Sequence, residues 1–183
     1  MRTALVLGIL LAFGLSSWAS DEPVIEGWEE AVGMWKAEKK GAHGIGQGAN
    51  ALRWSGEAEE SIEIEFSMVV SKWDGKLARA GLVWAADETG SHKNLRYMAV
   101  IVPDGKLLVK GEGQEGLPRR SFSCVVKKGR TIRFRARITK KGIEAIVGRT
   151  KANMAMPTTQ IGHVLLYAYN ADATFSKVKI KGK

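Results

Sequence analysis

The sequence is poor in the devices that staple small domains together. It has one cysteine, Cys124, so no disulfide can close within the chain. Its three histidines, His43, His92 and His163, are far apart and lack metal-ligand spacing. No Asp-rich calcium loop and no G-x-S-x-G nucleophile elbow is present. No cofactor is therefore implied. Gly111-Glu112-Gly113-Gln114-Glu115-Gly116 matches a dinucleotide fingerprint by letter only. Leu117-Pro118 follows it instead of a helix, and two carboxylates would repel phosphate. The apolar run Ala4–Leu15 is twelve residues long, too short to cross a bilayer. No long stretch has helical period, and no internal repeat or linker marks a second domain. With no disulfide or metal to help, the apolar core must hold the fold.

What the chain does contain begins with an export pattern. Arg2, the apolar Ala4–Leu15 and the small-x-small Ser17-Trp18-Ala19 read as a secretory signal. Residues 1–19 are expected to be a signal peptide and 20–183 a single secreted or periplasmic domain. Lys and Arg number 28 against 19 Asp and Glu, a formal charge of +9, with the basic excess concentrated in 119–183. Such a surface either meets anionic glycans, membranes or nucleic acid, or blocks strand-to-strand aggregation. No motif points to a specific nucleic acid.

The clearest element is Ser61–Met68. Ile62, Ile64, Phe66 and Met68 alternate with Ser61, Glu63, Glu65 and Ser67, the pattern of a half-buried strand. About ten or eleven short strands follow from similar runs and the turn signals between them. They include a Pro103-Asp104-Gly105 hairpin. Residues 21–35 read as a mixed packed segment, 41–48 as a Gly-rich loop and 149–160 as a longer loop. Three runs, Arg79–Ala86, Tyr97–Val102 and His163–Tyr169, are apolar on both alternating faces. Strands buried on both sides read this way, so a loop, a ligand or a second copy must cover the second face. Cys124 alternates with Phe122 and Val126 as a small hydrophobe. The fold class is all-β, an antiparallel two-sheet sandwich.

The order of elements carries a resemblance. A Trp-bearing first strand and a Gly-rich segment precede Ser61–Met68. Then come Ala80-Gly81-Leu82-Val83-Trp84, Tyr97-Met98-Ala99-Val100-Ile101, an Arg-rich strand, a Tyr-x-Tyr and Phe175-Ser176-Lys177-Val178-Lys179-Ile180. This resembles the concanavalin A-like lectin/glucanase jelly roll, in its laminin-G-like branch of exported bacterial domains. That branch includes 3-keto-disaccharide hydrolase-like and carbohydrate-binding domains. The resemblance implies a jelly-roll sandwich with a glycan or polysaccharide as partner. Hydrolase-like members carry polar residues where this chain has Ala85, Met98 and Val100, which favours binding over hydrolysis.

Three sets of residues could carry function. Glu63 and Glu65 share a face at i and i+2, roughly 6.5–7 Å apart. If the protein is an enzyme, they could act as the paired carboxylates of a glycoside hydrolase. They also resemble part of the Glu-x-Asp-x-x-Glu strand of laminarinase-type glucanases. Alternatively, they pair across the ladder with Arg133, Arg135 and Arg137, which share one face of their own strand. That Arg triplet, with Lys177, Lys179 and Lys181, is in turn a candidate basic surface for an acidic polysaccharide. Trp73, Trp84, Arg96, Tyr97, Tyr167 and Tyr169 are the candidate ligand-binding set. Aromatic platforms beside a few polar groups suit sugars, and core packing is the competing role.

Overall fold

The computed structural model describes residues 25–38, 41–56, 60–86, 94, 96–124, 126–156, 158 and 161–183. The expected signal peptide and most of the polar loop at 87–94 lie outside them.

Fourteen strands form among the described residues. They are β1 (Trp28–Val32), β2 (Met34–Glu38), β3 (Gly41–Ile45), β4 (Ala49–Trp54), β5 (Ser61–Trp73), β6 (Arg79–Ala86) and β7 (Arg96–Ile101). The rest are β8 (Lys106–Glu112), β9 (Arg119–Ser123), β10 (Ile132–Thr139), β11 (Gly142–Val147), β12 (Thr150–Ala155), β13 (His163–Tyr169) and β14 (Ala171–Gly182). Two seven-stranded antiparallel sheets result. The first runs β1-β4-β13-β6-β7-β8-β9, and the second runs β12-β11-β10-β5-β14-β3-β2. This is the two-sheet jelly-roll sandwich.

Period-two alternation builds the core. On the second sheet Ile62, Ile64, Phe66 and Met68 of β5 turn inward beside Ile132, Phe134, Ala136 and Ile138 of β10. Phe66 stacks on Phe134 with ring centroids 4.8 Å apart, and Phe175 of β14 closes on Phe66 at 5.7 Å. From the first sheet Leu82, Trp84, Tyr97, Ala99, Ile101 and Leu166 meet them. Aromatic payloads at the centre of such a sandwich supply much of its burial energy.

Three segments differ from the sequence expectation. The run at 149–160 contains the edge strand β12, where Ala152 is buried between exposed Lys151 and Asn153. Lys and Asn are weak strand formers, but pairing with β11 outweighs local preference. The Gly-rich loop at 41–48 is largely β3. Gly41 is needed there for close approach, because a Cβ would collide with the Phe175 carbonyl oxygen. The mixed segment at 21–35 contains β1.

Between β13 and β14 the chain passes from the first sheet to the second over one residue, Asn170. Asn170 adopts φ 48°, a left-handed conformation that Asn tolerates better than most residues. Its side-chain oxygen accepts from Gly48 N at 2.7 Å, its N donates to the Gly48 carbonyl at 3.0 Å, and its carbonyl accepts from Asp74 N at 2.8 Å. The polar side chain and backbone of Asn170 together lock this corner.

Candidate functional site

The outer face of the first sheet collects charge over an apolar floor. Register places Arg96, the first residue of β7, opposite Glu112, the last of β8. Arg96 donates to Glu112 Oε2 through Nε at 2.9 Å and through a terminal nitrogen at 2.5 Å. Arg79, the first residue of β6, reaches Glu112 Oε1 at 3.3 Å, and Lys110 of β8 pairs with the same oxygen. Arg79 and Arg96 stand near opposite ends of the β6–β7 pair, yet both meet Glu112. Their stems therefore lie along the sheet, over outward-facing Val83, Met98 and Val100.

Two tyrosines of β13 complete the cluster. The Arg79 guanidinium lies 5.0 Å from the Tyr169 ring centroid and 6.0 Å from that of Tyr167. The Arg96 guanidinium lies 5.2 Å from the Tyr167 ring. Cation–π contacts of this length gain strength where water is excluded. Arg96 and Tyr167 form a buried floor, while Arg79, Lys110, Glu112 and Tyr169 keep partial contact with solvent.

Among the described residues, three cations converge on this one carboxylate. Burial alone would raise the pKa of Glu112. Hydrogen bonds from Lys110 and Arg96, with the charges of Arg79 and Arg96, outweigh it and hold the carboxyl below its ordinary value. Arg79 Nε is buried and has no hydrogen-bond partner among the described residues, so the guanidinium is held by its ion pair with Glu112 and by the tyrosine rings.

The sequence-derived candidates separate. Arg96, Tyr167 and Tyr169 come together in this cluster. Trp84 and Tyr97 lie on the opposite face of the same sheet, in the core, with ring centroids 5.8 Å apart. Burial pushes the Tyr97 phenol up. Trp73 ends β5 and packs against the core, half-buried. Arg79, Lys110 and Glu112 were not singled out as ligand residues. Lys106, Lys110 and Glu112 do alternate with Leu107 and Val109 on β8, and that polar stripe was the available signal.

Glu63 and Glu65 lie on the outer face of the second sheet. Register sets Glu65 between Arg135 and Lys179, and Glu63 between Arg137 and Lys181. The Arg135–Glu65 distance is 3.1 Å and the Arg137–Glu63 distance is 3.9 Å. Glu63 is exposed and Glu65 half-exposed, and the recess beside them is only about 220 Å³. The Arg triplet and the basic stripe of β14 are thus separated by an acidic strand. Arg133 faces Ser67 and has no carboxylate opposite it.

Cys124 follows β9. Its thiol donates to the Gly105 carbonyl at 2.8 Å, and burial pushes its pKa up. Among the described residues, no cluster of His, Cys, Asp and Glu could hold a metal.

No family model and no curated protein matches the sequence. Solved structures do match the fold. A carbohydrate-binding module, CBM66 from Bacillus subtilis, superposes with a TM-score of 0.70 at 14% identity, covering 85% of this chain and 96% of that one. A galectin-like-fold protein from Bacillus subtilis gives 0.63 at 8%, covering 84% and 88%. The family 7 alginate lyase A1-II' gives 0.56 at 12%, covering 84% and 75%. The chain has the concanavalin A-like jelly-roll fold. At these identities the likeness is one of architecture, and function must be argued from the site.

Proposed function

We propose that the protein is an exported, non-catalytic binding module that holds a glycan on the outer face of the first sheet. The observation that carries this reading is the convergence of Arg79, Lys110 and Glu112, all still in contact with solvent, beside the Tyr169 ring. Sugar hydroxyls hydrogen-bond to the exposed edge of these charged groups, and the Tyr169 ring offers an apolar face to a pyranose. The fold neighbours support the class of ligand, since they include a carbohydrate-binding module and a polysaccharide lyase. In this reading Glu112 anchors the basic side chains: cations hold it in its ionised form and occupy both of its oxygens, so it is a poor proton donor near neutral pH.

A second copy is not needed to cover the apolar strands. Val83, Met98, Val100 and Leu165 are already out of solvent within one chain. Among the described residues the exposed large hydrophobics are Val32 and Met34, on either side of Gly33, and Leu77 and Ile146 elsewhere in the chain.

A glycan array with residues 20–183, run at low salt, tests the reading. Binding to a subset of poly- or oligosaccharides is expected, weakened about tenfold by Arg79→Ala and by Tyr169→Ala, as fits one charge-assisted hydrogen bond or one ring contact. A blank array would sink the proposal. Export is tested separately by N-terminal sequencing of protein from the periplasm or medium, which should begin at Ser20.

A further inference from the structure

A second basic feature lies away from the sheet face, at one end of the sandwich. A cleft of about 510 Å³ opens between the end of β9, the start of β10 and the β11–β12 turn. Lys127, Arg130, Arg133 and Arg149 line it, and no carboxylate does. These cations differ from the paired cations of the two sheet faces. Arg79, Arg96 and Lys110 are tied to Glu112, and Arg135 and Arg137 to Glu65 and Glu63. None of the four makes an ion pair with a described residue. The register explains Arg133: its cross-strand neighbour on β5 is Ser67, one step beyond the acidic pair.

The walls of the cleft are pinned. Thr150 Oγ1 donates to the Ser123 carbonyl at 2.9 Å, joining the edge strands of the two sheets. Gly129 N donates to the Val70 carbonyl at 2.9 Å and fixes the turn that carries Lys127 and Arg130. Gly148 N donates to the Arg133 carbonyl at 3.1 Å and fixes the turn that carries Arg149. Like charges gathered on a braced frame repel one another, and a bound anion relieves that repulsion.

We propose that this cleft is a second binding site, for the oxyanion of an acidic oligosaccharide. Guanidinium forks suit the two oxygens of a carboxylate or sulfate. The floor is aliphatic, from Val126, Ile132 and Val147, and suits the C–H face of a sugar ring. No aromatic side chain lines the cleft, so it lacks the stacking platform that single-stranded nucleic acid uses. Its volume falls within the usual range for a small-molecule pocket, roughly 300–1,000 Å³. This site is independent of the one around Arg79.

Calorimetric titration of residues 20–183 tests the proposal with four probes: a heparin-derived hexasaccharide, an oligoguluronate hexasaccharide, neutral xylohexaose and a short single-stranded DNA. At least one acidic hexasaccharide should bind in the cleft, and the tighter of the two identifies sulfate or carboxylate as the preferred group. The Arg130→Ala, Arg149→Ala double variant should weaken that binding about tenfold or more, the size expected for two lost charge-assisted hydrogen bonds. The Arg135→Ala, Arg137→Ala double variant should stay within about twofold, because those cations are already paired and exposed. Arg79→Ala, which reports only on the sheet-face site, should leave the Arg130/Arg149 dependence intact. Thermal unfolding of each variant confirms that it is folded. The proposal is overturned if neither acidic probe binds, if the two double variants weaken binding equally, or if DNA binds as tightly with the same residue dependence.

Discussion

The two sheets turn opposite kinds of charge outward. On the second sheet Arg, Glu and Lys alternate across three neighbouring strands, each carboxylate flanked by a cation on either side in solvent. On the first sheet long basic side chains lie down over apolar residues and converge on a mostly buried Glu112. Exposed ladders of the first kind hold register, resist aggregation and contribute little stability per pair. Buried clusters of the second kind carry a desolvation cost that an apolar pair would avoid. Breaking such a cluster is costly even where forming it gains little, so Glu112 and its cations are the sharper target for mutation than the row of exposed charges.

The comparison breaks most sharply at Glu112. Glu112→Gln leaves Arg79 and Lys110 largely buried without their carboxylate, and a loss of about 3–5 kcal/mol in unfolding free energy is expected from denaturant titration. A loss under about 1 kcal/mol would place this cluster in the same class as the exposed ladder. Acid offers a gentler version of the same cut. The pKa of Glu112 in the folded chain lies below its ordinary 4.5, so its contribution is present above that value and lost as pH falls below it. Denaturation midpoints measured from pH 7 to 3 should fall in that acid window, and the profile of Glu112→Gln should be flatter there. Tyr169→Ala should cost glycan affinity about tenfold and lower the melting temperature through lost packing, whereas Tyr169→Phe should keep the melting temperature and most of the affinity, separating ring stacking from the hydroxyl. The smallest effect belongs to Glu63→Gln with Glu65→Gln. Stability should move by about 1 kcal/mol or less, with less sensitivity still in high salt, and glycan binding should not change. Loss of binding in that double variant would move the site to the other sheet.

The ladder on the second sheet was readable because its strands are apolar on one side only. Ile62, Ile64 and Phe66 must face inward, so Glu63 and Glu65 face outward, and the same logic turns Arg135 and Arg137 toward them. The first sheet resisted the same logic. In Tyr97–Ile101 and Arg79–Ala86 both faces are apolar, so parity could not tell which aromatics look into the core. Trp84 and Tyr97 do, and Tyr167 and Tyr169 do not. Arg79, Lys110 and Glu112 sit on two strands, 31 or more positions apart between Arg79 and the others, and meet only through tertiary register. Glu112 is further hidden inside a Gly-rich run that matches a nucleotide motif by letter only. Strand β12 was missed because its local preferences are weak and its partner β11 supplies the order.

The lone thiol has a consequence for the compartment proposed for this protein. An exported chain with one cysteine is at risk of cross-linking to its neighbours wherever the surroundings are oxidising. Exchange and oxidation run through the thiolate. Burial of Cys124 and its contact with the Gly105 carbonyl keep the sulfur protonated, so the fold suppresses that chemistry without giving up the residue. Purified protein left in air should run as a monomer on a non-reducing gel, and a covalent dimer abolished by Cys124→Ser would show the protection to be inadequate. Because Cys124 also lines the end cleft, its slow modification by a thiol reagent becomes a built-in occupancy gauge, slowing further when an acidic oligosaccharide is bound.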